Sequence, residues 1–403
     1  MWVRVHRWAG LFLTGFLLIA GLTGALLPFE ESLTFATRPD RAWARPGPDT
    51  RLPLDGITIA ERVERALPVS VPRVELDIPH DHVVRMFVLP APGKGALPYD
   101  VVWADPYTGA VRLTYKWGGV TDGAQNIIPF LFALHYGRLF GPLGETAFGI
   151  AALVWTIDCF IGLYLTFPPR RQGGLRRTVF DWWTRWTQAW TVRTGHATRM
   201  TFDVHRASGL WLWPLLLVFA WSATALSLPQ VEVPVRLVFG GSEGFAPALL
   251  AAPRPSPALS RRQALTAASE AFTRLARDHH FALLGWQDLT YLPGAGAYRL
   301  AARTSLDRAD TGGQTDIWID GEDGRMLGWA PPLGNTATDH MVAWANLLHM
   351  AQVFGLPYRL FVSALGVTLC VLVITGVIIW SKKRAGSRKA KVSRTLTHPP
   401  PPT

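Results

Sequence analysis

The sequence predicts a membrane protein: a four-helix transmembrane bundle arising from an internal duplication, with two α+β domains outside the bilayer. Three observations carry this prediction. Trp8 to Phe29, Thr146 to Phe167, Ala207 to Leu228 and Leu360 to Trp380 each supply the roughly 20 apolar residues that a helix needs to cross the hydrocarbon layer. Short stretches recur. Val5-His6-Arg7-Trp8-Ala9-Gly10-Leu11 returns as Val204-His205-Arg206-Ala207-Ser208-Gly209-Leu210, and Leu134-His135 with Phe140-Gly141 returns as Leu348-His349 with Phe354-Gly355. Finally, the segments between the first and second runs, and between the third and fourth, share one pattern of a helix followed by short strands.

Composition agrees with the first observation, since 49% hydrophobic against 17% charged residues is a balance that runs of this length explain. Backbone groups cannot remain unpaired in lipid, so the runs are expected as helices. Only the second contains a charge, Asp158. The net charge of +11 invites a nucleic-acid partner, but its placement argues against one. Lysine and arginine crowd Arg170 to Arg199 and Lys382 to Arg394, beside the second, third and fourth runs, as cytoplasmic segments do. Both termini are therefore expected in the cytoplasm of a bacterial cell, with the multi-pass chain in its inner membrane and the two large segments in the periplasm. The first run is too long for a cleaved signal peptide and is expected to stay as an anchor. Cys159 and Cys370 both fall inside runs, so no disulfide framework is implied.

In chain order, the first span takes residues 1–31, the first outside domain 32–133, the second span 134–168, a basic loop 169–203 and the third span 204–229. The second outside domain takes 230–345, the fourth span 346–382 and a disordered polar tail 383–403. In the first outside domain Asp55 is placed to cap a helix ending near Leu67, and strands are expected over Arg73 to Ile78, Val83 to Leu89, Tyr99 to Ala104 and Ala110 to Tyr115. The second repeats this with a helix over Ser260 to Ala276 and strands over Leu283 to Tyr291, Tyr298 to Arg303, Thr315 to Ile319 and Met326 to Trp329. In the basic loop, Trp182, Trp186 and Trp190 fall at helical spacing, which fits a helix lying among lipid headgroups or, more sharply, a surface for docking an electron donor. Gly141-Pro142 and Leu356-Pro357 are expected to start the second and fourth membrane helices, leaving His135 and His349 on short preceding turns.

Taken together, the His6-Arg7-Trp8-x-Gly10-Leu11 stretch, Asp203-Val204-His205-Arg206, the His135 and His349 segments with their Phe-Gly partners, and the Asp-x-x-x-Gly turns at Asp105 and Asp320 resemble the PepSY-associated transmembrane family. The resemblance runs to about Arg384. It implies PepSY-like domains outside the membrane and kinship with iron-regulated inner-membrane proteins and haem-containing ferric-siderophore reductases.

A transmembrane haem b needs two neutral imidazoles from facing helices at one depth. His6 and His205 open the first and third spans, and His135 and His349 precede the second and fourth, so each pair belongs to one leaflet. A mixed pair would have to reach across roughly 30 Å of hydrocarbon. Two haems are thus expected, one between His6 and His205 and one between His135 and His349, with Arg7 and Arg206 placed for the propionates or for plain interfacial anchoring. A single histidine at a helix mouth is ordinarily an interfacial hydrogen-bonder; four at repeated positions favour ligation. His196 and His340 stand as reserve ligands, while His80, His82, His279 and His280 fall in the outside domains, the last two as a helix cap, and His398 in the tail has no role assigned. Asp158 is expected to relay protons, to hold a ligating histidine or simply to pair with Thr156 or Trp155.

No nucleotide fingerprint, P-loop, His-Glu-x-x-His or Cys-x-x-Cys is present, so electrons would come from a cytoplasmic or quinol donor. The expected activity is reduction of a ferric siderophore or related ferric compound, with no catalytic residue named beyond the haem ligands. The alternatives are a membrane-anchored binding or regulatory protein without catalysis and, less well supported by a bundle with one buried acid, a permease.

Overall fold

The structure, a computed structural model, describes residues 1–47, 52–169, 179–240 and 253–397. The elements before the second apolar run are α1 (Trp2–Gly24), α2 (Glu30–Thr37), α3 (Pro39–Ala42), α4 (Gly56–Ala66), β1 (Val69–Ser70), β2 (Arg73–Glu75), β3 (Val84–Phe87), β4 (Leu89–Pro90), β5 (Val101–Ala104), β6 (Val111–Tyr115) and α5 (Ile127–His135). Then follow α6 (Gly141–Thr166), α7 (Val179–Trp186), α8 (Ala197–Trp211), α9 (Trp213–Ser227), α10 (Glu232–Phe239) and α11 (Arg261–Asp278). Last come β7 (Leu283–Leu292), β8 (Ala297–Thr304), β9 (Thr315–Asp320), β10 (Met326–Ala330), α12 (Ala337–His349) and α13 (Gly355–Thr397). They form two compact units. One takes Met1–Pro28, Leu134–Val231 and Leu360–Thr403, the other Phe29–Ala133 and Glu232–Arg359.

The first unit is helical. Among the described residues three helical stretches are long and apolar enough to cross a membrane, beginning at Trp2, Arg138 and Gly355, and a fourth candidate is the pair α8 and α9, bent by 70°. This corrects the expectation of a continuous third helix. Pro214, at the start of α9, has no N–H to give and its ring collides with the carbonyl one turn back, so the hydrogen-bond ladder breaks after Trp211 and restarts from Leu212. Small residues let the helices approach closely: a Cβ on Gly366 would lie 2.6 Å from the Gly21 carbonyl oxygen, and one on Gly149 would lie 2.6 Å from Leu228 Cγ. Cys159, Leu216, Ala220, Leu365, Leu369 and Leu372 fill the space between. α13 is also longer than expected. It runs helically to Thr397 through the segment read as a disordered tail, where alanine, lysine and arginine are all good helix formers; residues 398–403 lie outside the described residues.

The second unit overturns the expectation of two separate outside domains. Most of the predicted strands and both predicted helices form, and the Asp55 carboxylate accepts the Thr58 N–H as the cap of α4. However, β2 leaves its own segment and pairs antiparallel with β7, with Val74 opposite Leu289, giving a five-stranded sheet in the order β10-β9-β8-β7-β2. A three-stranded sheet, β3-β5-β6, completes the first segment. Arg261 at the start of α11 reinforces the join, donating to both Glu64 oxygens at 2.7 and 2.8 Å and to the Val71 carbonyl at 2.8 Å. α11 carries a Ser260–Gln263 capping box and packs Phe272, fully buried, on the larger sheet, a burial worth about 1.5–3 kcal/mol.

Matching turns close the two strand pairs. Asp105 Oδ1 accepts the N–H groups of Tyr107 and Thr108 at 2.9 Å, and Asp320 Oδ1 accepts that of Glu322 at 2.9 Å. Gly109 and Gly324 then take φ of +64° and +76°, a conformation that only glycine adopts without strain. Burial raises the pKa of both aspartates. The backbone N–H groups, with Arg112 on Asp105 and Arg254 on Asp320, outweigh that and hold them below the ordinary carboxylate range.

His135 and His349 do not sit on short turns. Each ends a helix, α5 and α12 respectively, and α12 is fixed at its start by a Thr336–Asp339 capping box.

Candidate functional site

Five helices of the helical unit, α1, α6, α8, α9 and α13, meet around one cavity of about 450 Å³, within the range of cofactor and ligand pockets of roughly 300–1,000 Å³. His6 projects from α1 and His205 from α8, and their ring centres stand 6.3 Å apart with the planes inclined by 57°. The spacing has a chemical meaning. A metal bonded to two imidazole nitrogens at about 2 Å each, with about 1 Å more from nitrogen to ring centre, separates the ring centres by about 6 Å.

The hydrogen bonds fix which nitrogen faces the space. His6 Nδ1 donates to Asp158 Oδ1 of α6 at 2.9 Å. His205 Nδ1 donates to the Leu372 carbonyl of α13 at 2.9 Å and to Thr375 Oγ1 at 3.2 Å. The Leu372 carbonyl can only accept, and the Thr375 hydroxyl spends its proton on Val371 O, so the His205 proton lies on Nδ1. His205 therefore presents the Nε2 lone pair, the tautomer that ligation requires, and His6 does the same with Asp158 as a carboxylate acceptor.

Two glycines make room. A Cβ at Gly162 would meet only His6 Cε1, at 3.6 Å, and one at Gly376 would approach His205 Cε1 to 3.2 Å. Asp158 on α6 and Leu372 on α13 each stand one helical turn before their glycine, so the two halves reach the same arrangement with different chemistry. Of the readings open for Asp158, the geometry gives the histidine-holding one, while Thr156 turns to Ala152 O and Thr224 instead.

Arg7, Arg206 and Lys383 also line the cavity and give it a cationic rim. Arg206 is held by Asp203 at 2.9 Å and the Gln188 carbonyl at 2.9 Å and lies over the Phe202 ring, while its Nε is buried without a hydrogen-bond partner. Asp203, itself fully buried, also accepts from Arg193 N–H and Arg199 Nε, so it anchors the start of α8. The remaining lining is apolar, with Leu13, Leu216, Leu369 and Trp213 among it.

A profile of the PepSY-associated TM region matches residues 3–383, nearly the whole chain. The chain belongs to the PepSY-associated transmembrane family. In this family member the match covers residues of both units. No curated protein sequence matches the chain.

The second histidine pair of this PepSY-associated protein is divided between the units. His135 belongs to the helical unit, where its Nδ1 donates to Thr23 Oγ1 at 2.8 Å; the Thr23 proton goes to Ile19 O, so His135 takes the same tautomer as His6 and His205. His349 ends α12 in the other unit. The reserve ligands do not join the cavity: His196 is the exposed residue before α8 and His340 is exposed on the first turn of α12. His82 donates from Nδ1 to the Val83 carbonyl and packs on Phe35, His80 offers its carbonyl to Tyr107, and His279 caps α11 and packs on Trp329. His398 and the Arg170–Arg177 part of the basic loop lie outside the described residues.

Trp182, Trp186 and Trp190 do form a stripe on α7 and the turn after it, with neighbouring ring centres 5.3 Å apart, and Trp186 Nε1 donates to Thr166 at the end of α6. Sequence reasoning missed Lys383, Thr375, Thr23 and the Leu372 carbonyl. Thr23 and Thr375 each fall within a run chosen for its apolarity, and a backbone acceptor leaves no mark in a sequence.

Proposed function

We propose that the protein is a haem b electron-transfer protein that reduces a ferric siderophore or related ferric compound on the periplasmic side of the bacterial inner membrane. One observation carries the reading: two imidazoles, each hydrogen-bonded through Nδ1, face each other at 6.3 Å in a cavity of cofactor size. Bound haem would supply a one-electron iron couple inside the membrane. His6 and His205 would hold its iron. Arg7, Arg206 and Lys383 are the residues for two carboxylates, by charge-assisted bonds, and the leucine and tryptophan lining keeps water from the site. The sequence repeat, which pairs His135 with His349, is what supports a second haem. Electrons enter from a cytoplasmic or quinol donor. At the outer side, reduction weakens the grip of hard oxygen ligands on the ferric substrate, so iron is released. The lysines and arginines from Lys382 to Arg394, in the last part of α13, and those between α6 and α8 support cytoplasmic termini.

The test is spectroscopic. Full-length protein purified in detergent after expression with added haem should show a Soret band that shifts on dithionite reduction, with two haems per chain. His205→Ala should remove one of them and His349→Ala the other. A colourless protein overturns the reading, and one haem per chain that survives His205→Ala overturns the assignment of the site.

A further inference from the structure

The two halves of the cavity treat their histidines unequally. Asp158 stands as far after His135 as Leu372 stands after His349, and each precedes the glycine that faces its ring by one turn. From these equivalent places come a carboxylate for His6, at 2.9 Å, and a backbone carbonyl helped by a hydroxyl for His205, at 2.9 and 3.2 Å. The carbonyl can serve because position 376 has no side chain to hold the ring away. Asp158 is 7% exposed and is the one acid inside the second apolar run, where a carboxylate with no purpose would be costly.

Resting on the reading of this cavity as a haem site, we propose that Asp158 is a positioning residue that lowers the reduction potential of the His6–His205 haem by making His6 the stronger electron donor of the two ligands. An ionised acceptor draws the Nδ1 proton toward itself and raises the basicity of the ring, and the added donation at Nε2 favours the ferric state. A neutral carbonyl and a hydroxyl do this less. Were Asp158 protonated, it would donate to Nδ1 and the His6 lone pair would not face the cavity, so ligation by His6 and an acceptor role for Asp158 go together.

Spectroelectrochemistry on the haem-loaded, full-length protein tests this. Asp158→Asn and Asp158→Thr keep a polar group of similar size without the charge. Either should retain a spectrum of two-histidine ligation and raise one of the two midpoint potentials by at least a tenfold change in the reduction equilibrium, 59 mV for one electron. Asp158→Glu should return the potential toward the wild-type value, and Thr375→Ala, which leaves the Leu372 carbonyl in place, should shift it less than Asp158→Asn. An unchanged potential in a neutral variant that keeps its haem overturns the proposal, as does a shift in Thr375→Ala equal to that in Asp158→Asn. Loss of haem from both neutral variants also overturns it, since Asp158 would then build the site and not tune it. Wild-type protein that takes up no haem defeats the underlying functional reading, an outcome distinct from all of these.

Discussion

Alanine at Gly376 and alanine at Gly162 are the same substitution at corresponding places, yet the structure assigns them opposite outcomes. At Gly376 the new Cβ would stand 3.2 Å from Cε1 and 3.6 Å from Nδ1 of His205. Carbon atoms pack best at about 3.5–4.0 Å, so the ring must give way by a few tenths of an ångström. It is not at liberty to do so. A retreat of that size takes the 3.2 Å bond to Thr375 to about 3.5 Å, where it ceases to count as a hydrogen bond. Losing one neutral hydrogen bond costs about 0.5–1.5 kcal/mol and overpacking about 1–3 kcal/mol, against a gain of about 1 kcal/mol for alanine over glycine in a helix. The net is a destabilisation of about 0.5–3.5 kcal/mol. At Gly162 the contact is 3.6 Å, an ordinary one, so only the gain of about 1 kcal/mol remains. Thermal unfolding of the two variants in one detergent should place Gly376→Ala below the wild type and Gly162→Ala at or above it. Equal behaviour, or the reverse order, refutes the claim that these glycines are set against the histidine rings.

Further expectations concern both units. Gly366→Ala would drive a Cβ to 2.6 Å from the Gly21 carbonyl and 3.0 Å from Ala25 N, backbone atoms that cannot swing aside, so it should destabilise the helical unit more than Gly376→Ala does in the same unfolding assay. Burial raises the Asp316 pKa to about 6, with Arg299 opposing and Asp288 adding to the rise. The folded state thus binds that proton more tightly than the unfolded one, and its stability falls as pH climbs from about 4 through about 6, by at most about 3 kcal/mol. Asp316→Asn should remove this slope and protect β9 at pH 7, which hydrogen exchange corrected for its intrinsic pH dependence will show; an unaltered slope counts against it. Arg261→Ala takes three hydrogen bonds from the join between the outside segments, two of them to a carboxylate, and should cost about 1.5–3 kcal/mol or more. Exchange should quicken in β2 and remain slow in β9.

Local rules made most of the outside unit legible. The Asp55 and Ser260 caps and the Asp105 and Asp320 turns are decided by neighbours in sequence, and α4, α11, β8 and β9 form within a few residues of their expected ends. The pairing of Val74 with Leu289 is decided by nothing nearby, which is why one shared sheet replaced two independent domains. In the helical unit, the meeting of His6 with His205 was legible because both open repeated apolar runs. Their tautomers were not, because one depends on a carbonyl oxygen. The break at Pro214 was in plain view in the third run and was outweighed by its apolarity.

The strand that β2 lends to β7 also constrains the threading of the chain. Backbone partners cannot join through a bilayer, so Glu75 and Asp288 occupy one compartment, and the polypeptide between them traverses the lipid an even number of times. α6 is one candidate passage between them. The kinked pair α8 and α9 is the candidate for the matching passage.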